Sequence, residues 1–256
     1  MRCTIMKKSN LSRHILIFSL TIFSIISVLI SYFIVPLCVF SKGEHTSLKI
    51  YKDKNTITLS SNQLKILQLT DTHINGSILD PFTYSVIKHS IYRTNPHLIV
   101  FTGDIFSRGA SNKNVDNFLE FMDKFKLPWA TVLGNHEDEL SCTLNELSYK
   151  LEHSKYSLFQ NGKLNNSHGN YYYNIDFLDG YKFQLIFMDS HRSGFTSDSL
   201  TYYETIVNKA YDNGVIGNFL FFHIPPSMIT EVAKAYTDNP NIGYGKLKKN
   251  TNNTNK

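Results

Sequence analysis

Four short apolar runs, each followed at once by acidic, imidazole or amide side chains, constrain this chain more than any other feature. Leu64–Thr70 leads into Asp71-Thr-His73, and His97–Phe101 into Thr-Gly-Asp104. Trp129–Leu133 leads into Gly134-Asn135-His136-Glu137, and Phe219–Phe222 into His223. Runs of this length bounded by turn residues suit buried strands. Helical patterns lie between them. Asp80-Pro81 reads as an N-cap followed by proline at the first helical position, with Phe82, Val86, Ile87 and Ile91 on the apolar face and Asn95-Pro96 as the stop. Val115, Phe118, Leu119 and Met122 recur at i, i+3, i+4 and i+7, the mark of a second amphipathic helix. Further helices are predicted near 142–153 and 198–212. Leu48–Tyr51 and Thr56–Leu59 read as opening strands, and Tyr171–Ile175 with Tyr181–Met188 as a strand pair joined by Asp179-Gly180. Strands alternating with helices predict an α/β fold with a mainly parallel sheet and helices outside.

In such sheets the ligand crevice lies at the carboxyl ends of the strands, which is where these polar residues fall. One Asp-x-His triplet is common by chance, and a Gly-Asp after a strand is usually a turn. Gly-Asn-His-Glu is more specific. The ordered set carries the weight. A bridging carboxylate can hold two cations about 3.5–4 Å apart, while imidazole, carboxylate and amide oxygen complete their shells. Such cations grip a phosphate oxygen and lower the pKa of a water between them, giving a hydroxide that attacks phosphorus in line. Without cations, the clustered carboxylates would repel an anionic substrate.

Asp71-x-His73, Gly103-Asp104, Gly134-Asn135-His136-Glu137 and His223 resemble the successive motifs of calcineurin-like metallophosphoesterases. Leu67–Ile74 together with Leu98–Asp104 looks most like the purple-acid-phosphatase-like branch, and the likeness extends from about Leu64 to Pro226. The resemblance implies a two-sheet sandwich flanked by helices and a site with two metal ions. Asp71 and His73 would bind one metal, Asp104 would bridge, and Asn135 and His223 would bind the second. His136 would not be a ligand; it would stabilise the transition state or protonate the leaving group, with Glu137 supporting the ligands from behind. Mixed nitrogen and oxygen donors admit Mn, Fe or Zn.

Two departures from the family pattern stand out. Purple acid phosphatases carry a metal-binding Tyr where this chain has Ser107, so no tyrosinate-to-iron charge transfer is expected. The neighbouring Arg108 is either a bidentate donor to a substrate phosphate or a solvated loop arginine. Family members also carry a Gly-His-x-His motif downstream, yet no histidine follows His223 here, and His153, His168 and His191 lie where the motif does not. The expected function is therefore a membrane-anchored, metal-dependent phosphoesterase acting on phosphate esters. The alternative is a truncated or degenerate relative that serves as a non-catalytic binding domain.

The anchor is read from the N-terminus. Residues 15–40 carry no charge, and as a helix they would span roughly 39 Å against a hydrocarbon core of about 30 Å. Arg2, Lys7, Lys8 and Arg13 precede them, which keeps residues 1–14 cytoplasmic and places the chain beyond residue 40 in the lumen or outside the cell. A cleaved signal peptide is the rival reading, but Pro36–Phe40 makes a poor cleavage site. The four N-terminal cations account for most of the net charge of +5; the remaining 22 basic residues nearly match 21 acidic ones, so no nucleic-acid surface is expected. Cys142 is the one cysteine beyond the anchor, which leaves it no disulfide partner in the exported portion. Glycosylation sequons occur at Asn10, Asn75, Asn165 and Asn252. Residues 41–62 read as a tether with the opening strands, 63–238 as the phosphoesterase domain lacking its last motif, and 239–256 as a disordered Asn/Lys-rich tail.

Overall fold

The computed structural model describes residues 14, 17–27, 48–162, 164 and 167–226. Residues 17–27 of the predicted anchor are helical with exposed apolar side chains. The rest of that segment, the tether up to residue 47, Asn165 and the Asn/Lys-rich tail lie outside the described residues. Among the described residues no helix is long and apolar enough to cross a membrane.

Among the described residues eight strands form two sheets, as the family resemblance implies, where strand alternation by itself suggested one mainly parallel sheet. β3 (Ile66–Leu69), β4 (Leu98–Thr102) and β5 (Trp129–Val132) make a parallel three-stranded sheet. β1 (Leu48–Tyr51), β2 (Thr56–Leu59), β6 (Tyr171–Asp176), β7 (Lys182–Phe187) and β8 (Gly217–Phe221) form the other, in the order β1-β2-β6-β7-β8. In that sheet β1–β2 and β6–β7 are antiparallel, while β2–β6 and β7–β8 are parallel. Beyond the N-terminal helical segment, the described residues hold four α-helices: α1 (Asp80–Thr94), α2 (Asn112–Asp123), α3 (Leu144–His153) and α4 (Ser197–Asp212).

The helix limits follow local chemistry. Ser111 and Thr143 each build a capping box with the residue three positions on, Asn114 and Glu146, so α2 and α3 begin where backbone N–H groups gain side-chain acceptors. Asn95 ends α1 in the left-handed conformation before Pro96. The start of α1 differs from the sequence expectation. Leu79 is the N-cap and Asp80 the first helical residue. The Asp80 carboxylate turns back instead, accepting from the Gly76 N–H at 2.7 Å and the Ser77 hydroxyl at 3.0 Å. The apolar face of α1 is also narrower than expected, because Ile87 and Ile91 are buried while Phe82 and Val86 remain exposed.

One core joins the two sheets. Phe118 of α2 packs edge-to-face on Phe101 of β4, Phe106 and Trp129 of β5, with centroids 5.4–5.8 Å away. From the other sheet, Tyr171 stacks on Phe187 at 4.6 Å. The Tyr171 hydroxyl donates to the Thr131 carbonyl at 2.7 Å and accepts the Thr131 N–H at 3.1 Å. The Trp129 N–H donates to the Tyr156 carbonyl at 3.0 Å, and the Leu158 N–H donates to the Trp129 carbonyl at 2.7 Å, joining β5 to the 156–158 segment. The outer edge of β5, unpaired within its own sheet, is thereby satisfied.

Candidate metal centre

The site lies where the strands of both sheets end. Asp71 and His73 follow β3, Asp104 follows β4, Asn135, His136 and Glu137 follow β5, and His223 follows β8. The common edge expected from a single open sheet is thus two edges brought together, with His223 arriving from the five-stranded sheet. Beyond their last ladder bonds, the loops after β3 and β4 remain zipped. The N–H groups of Asp71, His73 and Ile74 donate to the carbonyls of Gly103, Asp104 and Ile105 at 2.9–3.2 Å. Asp71, His73 and Asp104 all adopt positive φ, 54°, 48° and 51°. For non-glycine residues this conformation is strained and is held by its surroundings.

Two glycines let these loops meet. A Cβ on Gly103, at φ +91°, would fall 2.6 Å from the His223 ring, and one on Gly134 would overlap the Asp104 carboxylate. Only glycine permits that approach.

Asp104 is the centre. Its carboxylate is nearly fully buried, and Oδ2 lies 3.2 Å from His223 Nε2 and 4.0 Å from both His73 Nε2 and His136 Nε2. Its Oδ1 accepts the His136 N–H at 2.9 Å. Asp71 Oδ1 lies 3.6 Å from His73 Nε2. Two triads of donor atoms result, each within 4.8 Å: His73–Asp104–His136 and Asp71–Asp104–His223. Asp104 belongs to both.

The outer nitrogens of two of these histidines are already committed. His223 Nδ1 lies 2.8 Å from the Thr102 carbonyl, and His136 Nδ1 lies 2.8 Å from Glu139 Oε2. With Nδ1 donating to Thr102, Nε2 of His223 faces Asp104 with a lone pair free for a cation, the arrangement metal-binding histidines commonly show. Nε2 of His136 lies farther from Asp104, at 4.0 Å. Without a cation, the neighbouring carboxylates raise the proton affinity of His223 and His136. Burial lowers His223, but its hydrogen bonds to Asp104 and Thr102 outweigh that and push it up to about 9. His136 is raised by its bond to Glu139. Burial acts to raise Asp104, yet the His223 bond and the His136 N–H hold it below the usual carboxylate range. Donor chemistry, spacing and orientation all fit divalent cations.

Glu137 is not among the clustered donors. Fully buried, it accepts from the N–H groups of Gly134 at 2.7 Å, Asp104 at 3.1 Å and Phe106 at 3.1 Å. It ties the β5 loop to the β4 loop. Burial pushes its pKa up to about 7 against the pull of those three bonds. Asn135 is half-buried in the same loop, and its side chain makes no hydrogen bond among the described residues. Arg108 is exposed and joins no ion pair among them, while Ser107 donates to the His73 carbonyl at 3.3 Å.

Sequence reasoning missed two groups here. Glu139 contacts the His136 ring, and Arg192 bridges Glu139 and Asp138. The His136/Glu139 spacing of three was the one local signal. Nothing local marks Arg192, which is separated from Glu139 by 53 residues.

A layered α/β fold that brings carboxylates and imidazoles from several strand ends onto one shared carboxylate defines a metal-dependent hydrolase class of site. Residues 64–244 match the sequence profile of calcineurin-like phosphoesterases, and the chain belongs to that family. It is 27% identical over 226 residues to phosphatase DCR2 of Saccharomyces cerevisiae, covering 72% of this chain and 39% of that protein. It is 31% identical over 101 residues to probable inactive purple acid phosphatase 28 of Arabidopsis thaliana, covering 32% of this chain and 25% of that one. The chain therefore spans well under half the length of these relatives. A dimetal phosphatase from Danio rerio aligns in structure with a TM-score of 0.47 and 14% identity, over 63% of this chain and 70% of that one.

Proposed function

We propose that this chain hydrolyses phosphate esters at the Asp71–His73–Asp104–His136–His223 cluster, using two divalent or iron-type cations. The observation that carries the reading is that Asp104 belongs to both donor triads. The proposed ligands, taken from the family pattern, are Asp71 and His73 for one cation and Asn135 and His223 for the other, with Asp104 shared. The clustered donor atoms instead group Asp71 with His223 and His73 with His136 around the same Asp104. Bound cations would supply Lewis acidity to a phosphate oxygen and a water of lowered pKa. The chain's own residues do the rest. Buried Asp104, fixed by the His136 N–H and by Glu137 behind its backbone, keeps the two triads in register. His136, its proton affinity raised by Glu139, carries a proton at Nε2 toward the leaving oxygen.

The test measures bound metal and p-nitrophenyl phosphate turnover, with Mn²⁺ supplied, for the full chain and for Asp104→Ala and His136→Ala. Asp104→Ala is expected to lose metal and at least about 100-fold in turnover. His136→Ala should keep its metal and lose turnover, most of all on poorer leaving groups. Equal rates for the parent chain and Asp104→Ala would overturn the catalytic reading.

A second reading, metal binding without turnover, is favoured by one observation. Among the described residues each triad gathers three donors, fewer than a closed coordination shell takes. Metal retained at both triads with background rates throughout would select it.

The anchor is proposed from sequence alone. The 26 uncharged residues 15–40 behind four cations are expected to keep the full chain in the membrane pellet after alkaline carbonate extraction, and release into the supernatant would refute this.

A further inference from the structure

His136 is aimed by contacts that reach across both sheets. Its Nδ1 lies 2.8 Å from Glu139 Oε2 within one turn, closed by the Glu139 N–H donating to the His136 carbonyl at 3.0 Å. Glu139 is itself held. Arg192 Nη2 donates to Glu139 Oε1 at 2.9 Å, and the same guanidinium grips Asp138 through Nε at 2.9 Å and Nη2 at 2.5 Å. Asp138 and Glu139 sit in the short 3-10 turn Glu137–Glu139 after β5 of the three-stranded sheet. Arg192 follows β7 of the five-stranded sheet.

The turn that presents Arg192 is built rather than loose. Asp189 Oδ1 accepts the His191 N–H at 2.9 Å, and the Asp189 N–H donates to Asn170 Oδ1 at 3.2 Å. The Gly194 N–H donates to the Ser190 carbonyl at 2.9 Å. Ser190 Oγ accepts the Ile224 N–H at 2.8 Å, immediately after His223. One turn thus supports the His223 loop and carries the arginine that reaches the His136 loop. Arg192 has a planar fork that matches two carboxylates at once, which a point charge would not.

We infer that Glu139 and Arg192 are positioning residues for His136, with Arg192 clamping the loops of the two sheets together so that Nε2 of His136 faces Asp104. This role presupposes the phosphoesterase reading. Both side chains of the Arg192–Asp138 pair are about half exposed, and exposed pairs contribute little to stability. The clamp therefore acts on aim more than on folding.

Full-chain Glu139→Ala, Arg192→Ala and the double variant provide the test, with Mn²⁺ and p-nitrophenyl phosphate for kinetics. Metal-free samples serve for nitrogen-edited NMR of the His136 ring. Glu139→Ala is expected to lower kcat about 10–100-fold with KM little changed, and Arg192→Ala about tenfold or less, as for other residues that orient a site imidazole. The double variant should lose less than the two single losses combined, because Arg192 reaches the His136 ring through Glu139. The Nδ1–H resonance of His136 should disappear in Glu139→Ala and broaden in Arg192→Ala, with thermal midpoints unchanged. An unaltered ring resonance in Glu139→Ala, unchanged kcat in both single variants, or additive losses would overturn the clamp. A parent chain that shows the ring signature but no turnover would instead overturn the phosphoesterase reading and leave the aiming contacts standing.

Discussion

β4 and β5 of the three-stranded sheet are buried at every position, whereas β8 of the five-stranded sheet is half-exposed at four of its five positions and exposed at Phe219. Both regions deliver to the same carboxylate. Asp104 and His136 hang from loops after the enclosed strands β4 and β5, where backbone bonds and Glu137 fix them. Asp71 and His73, after the half-exposed β3, are zipped by backbone bonds to the β4 loop. His223 leaves an edge strand, and its loop is located mainly by the Thr102 carbonyl at its ring and by Ser190 one residue on. The contrast separates a half of the site framed by the core from a half docked onto it. The same separation explains why contacts between the sheets carry so much of the site's geometry.

Glu137→Ala is the largest expected break in the framed half. It leaves the N–H groups of Gly134, Asp104 and Phe106 buried without an acceptor, and each such orphan costs about 1–3 kcal/mol. A total loss of about 3 kcal/mol or more is expected in urea unfolding. A loss below about 1 kcal/mol would mean that the β4 and β5 loops do not depend on this carboxylate.

Tyr171→Phe probes the seam between the sheets with a smaller effect. It removes one hydroxyl but strands both the N–H and the carbonyl of the fully buried Thr131. About 2 kcal/mol of stability should be lost with the stacking on Phe187 intact, since the ring is unchanged. If stability does not move, the outer edge of β5 is satisfied by other means and this hydroxyl does not stitch the two halves together.

How far the sequence was legible varies with the range of the interactions. Trp129–Val132 and Leu98–Thr102 were readable because a buried strand is a continuous apolar run. The helix at Asn112–Asp123 was readable because Val115, Phe118 and Met122 repeat at helical spacing. Asp80 was misread at close range: its carboxylate serves the loop behind it, and composition alone does not tell which direction a capping side chain faces. Phe82 and Val86 were misplaced because the helical period gives a face but not its width.

By itself, then, the sequence determined the α/β alternation and the ordered acids and imidazoles at strand ends, because periodicity and side-chain chemistry are local properties. Tertiary structure alone decided which strands join which sheet and that His223 meets Asp104 from the second of them. It also decided that Glu137 binds backbone and that Arg192 reaches Glu139. Those outcomes depend on pairs such as His223 with Thr102, 121 residues apart, and Tyr171 with Thr131, 40 apart. Such contacts form only when burial of the shared core brings the sheets together, and no local pattern records which edge will face which.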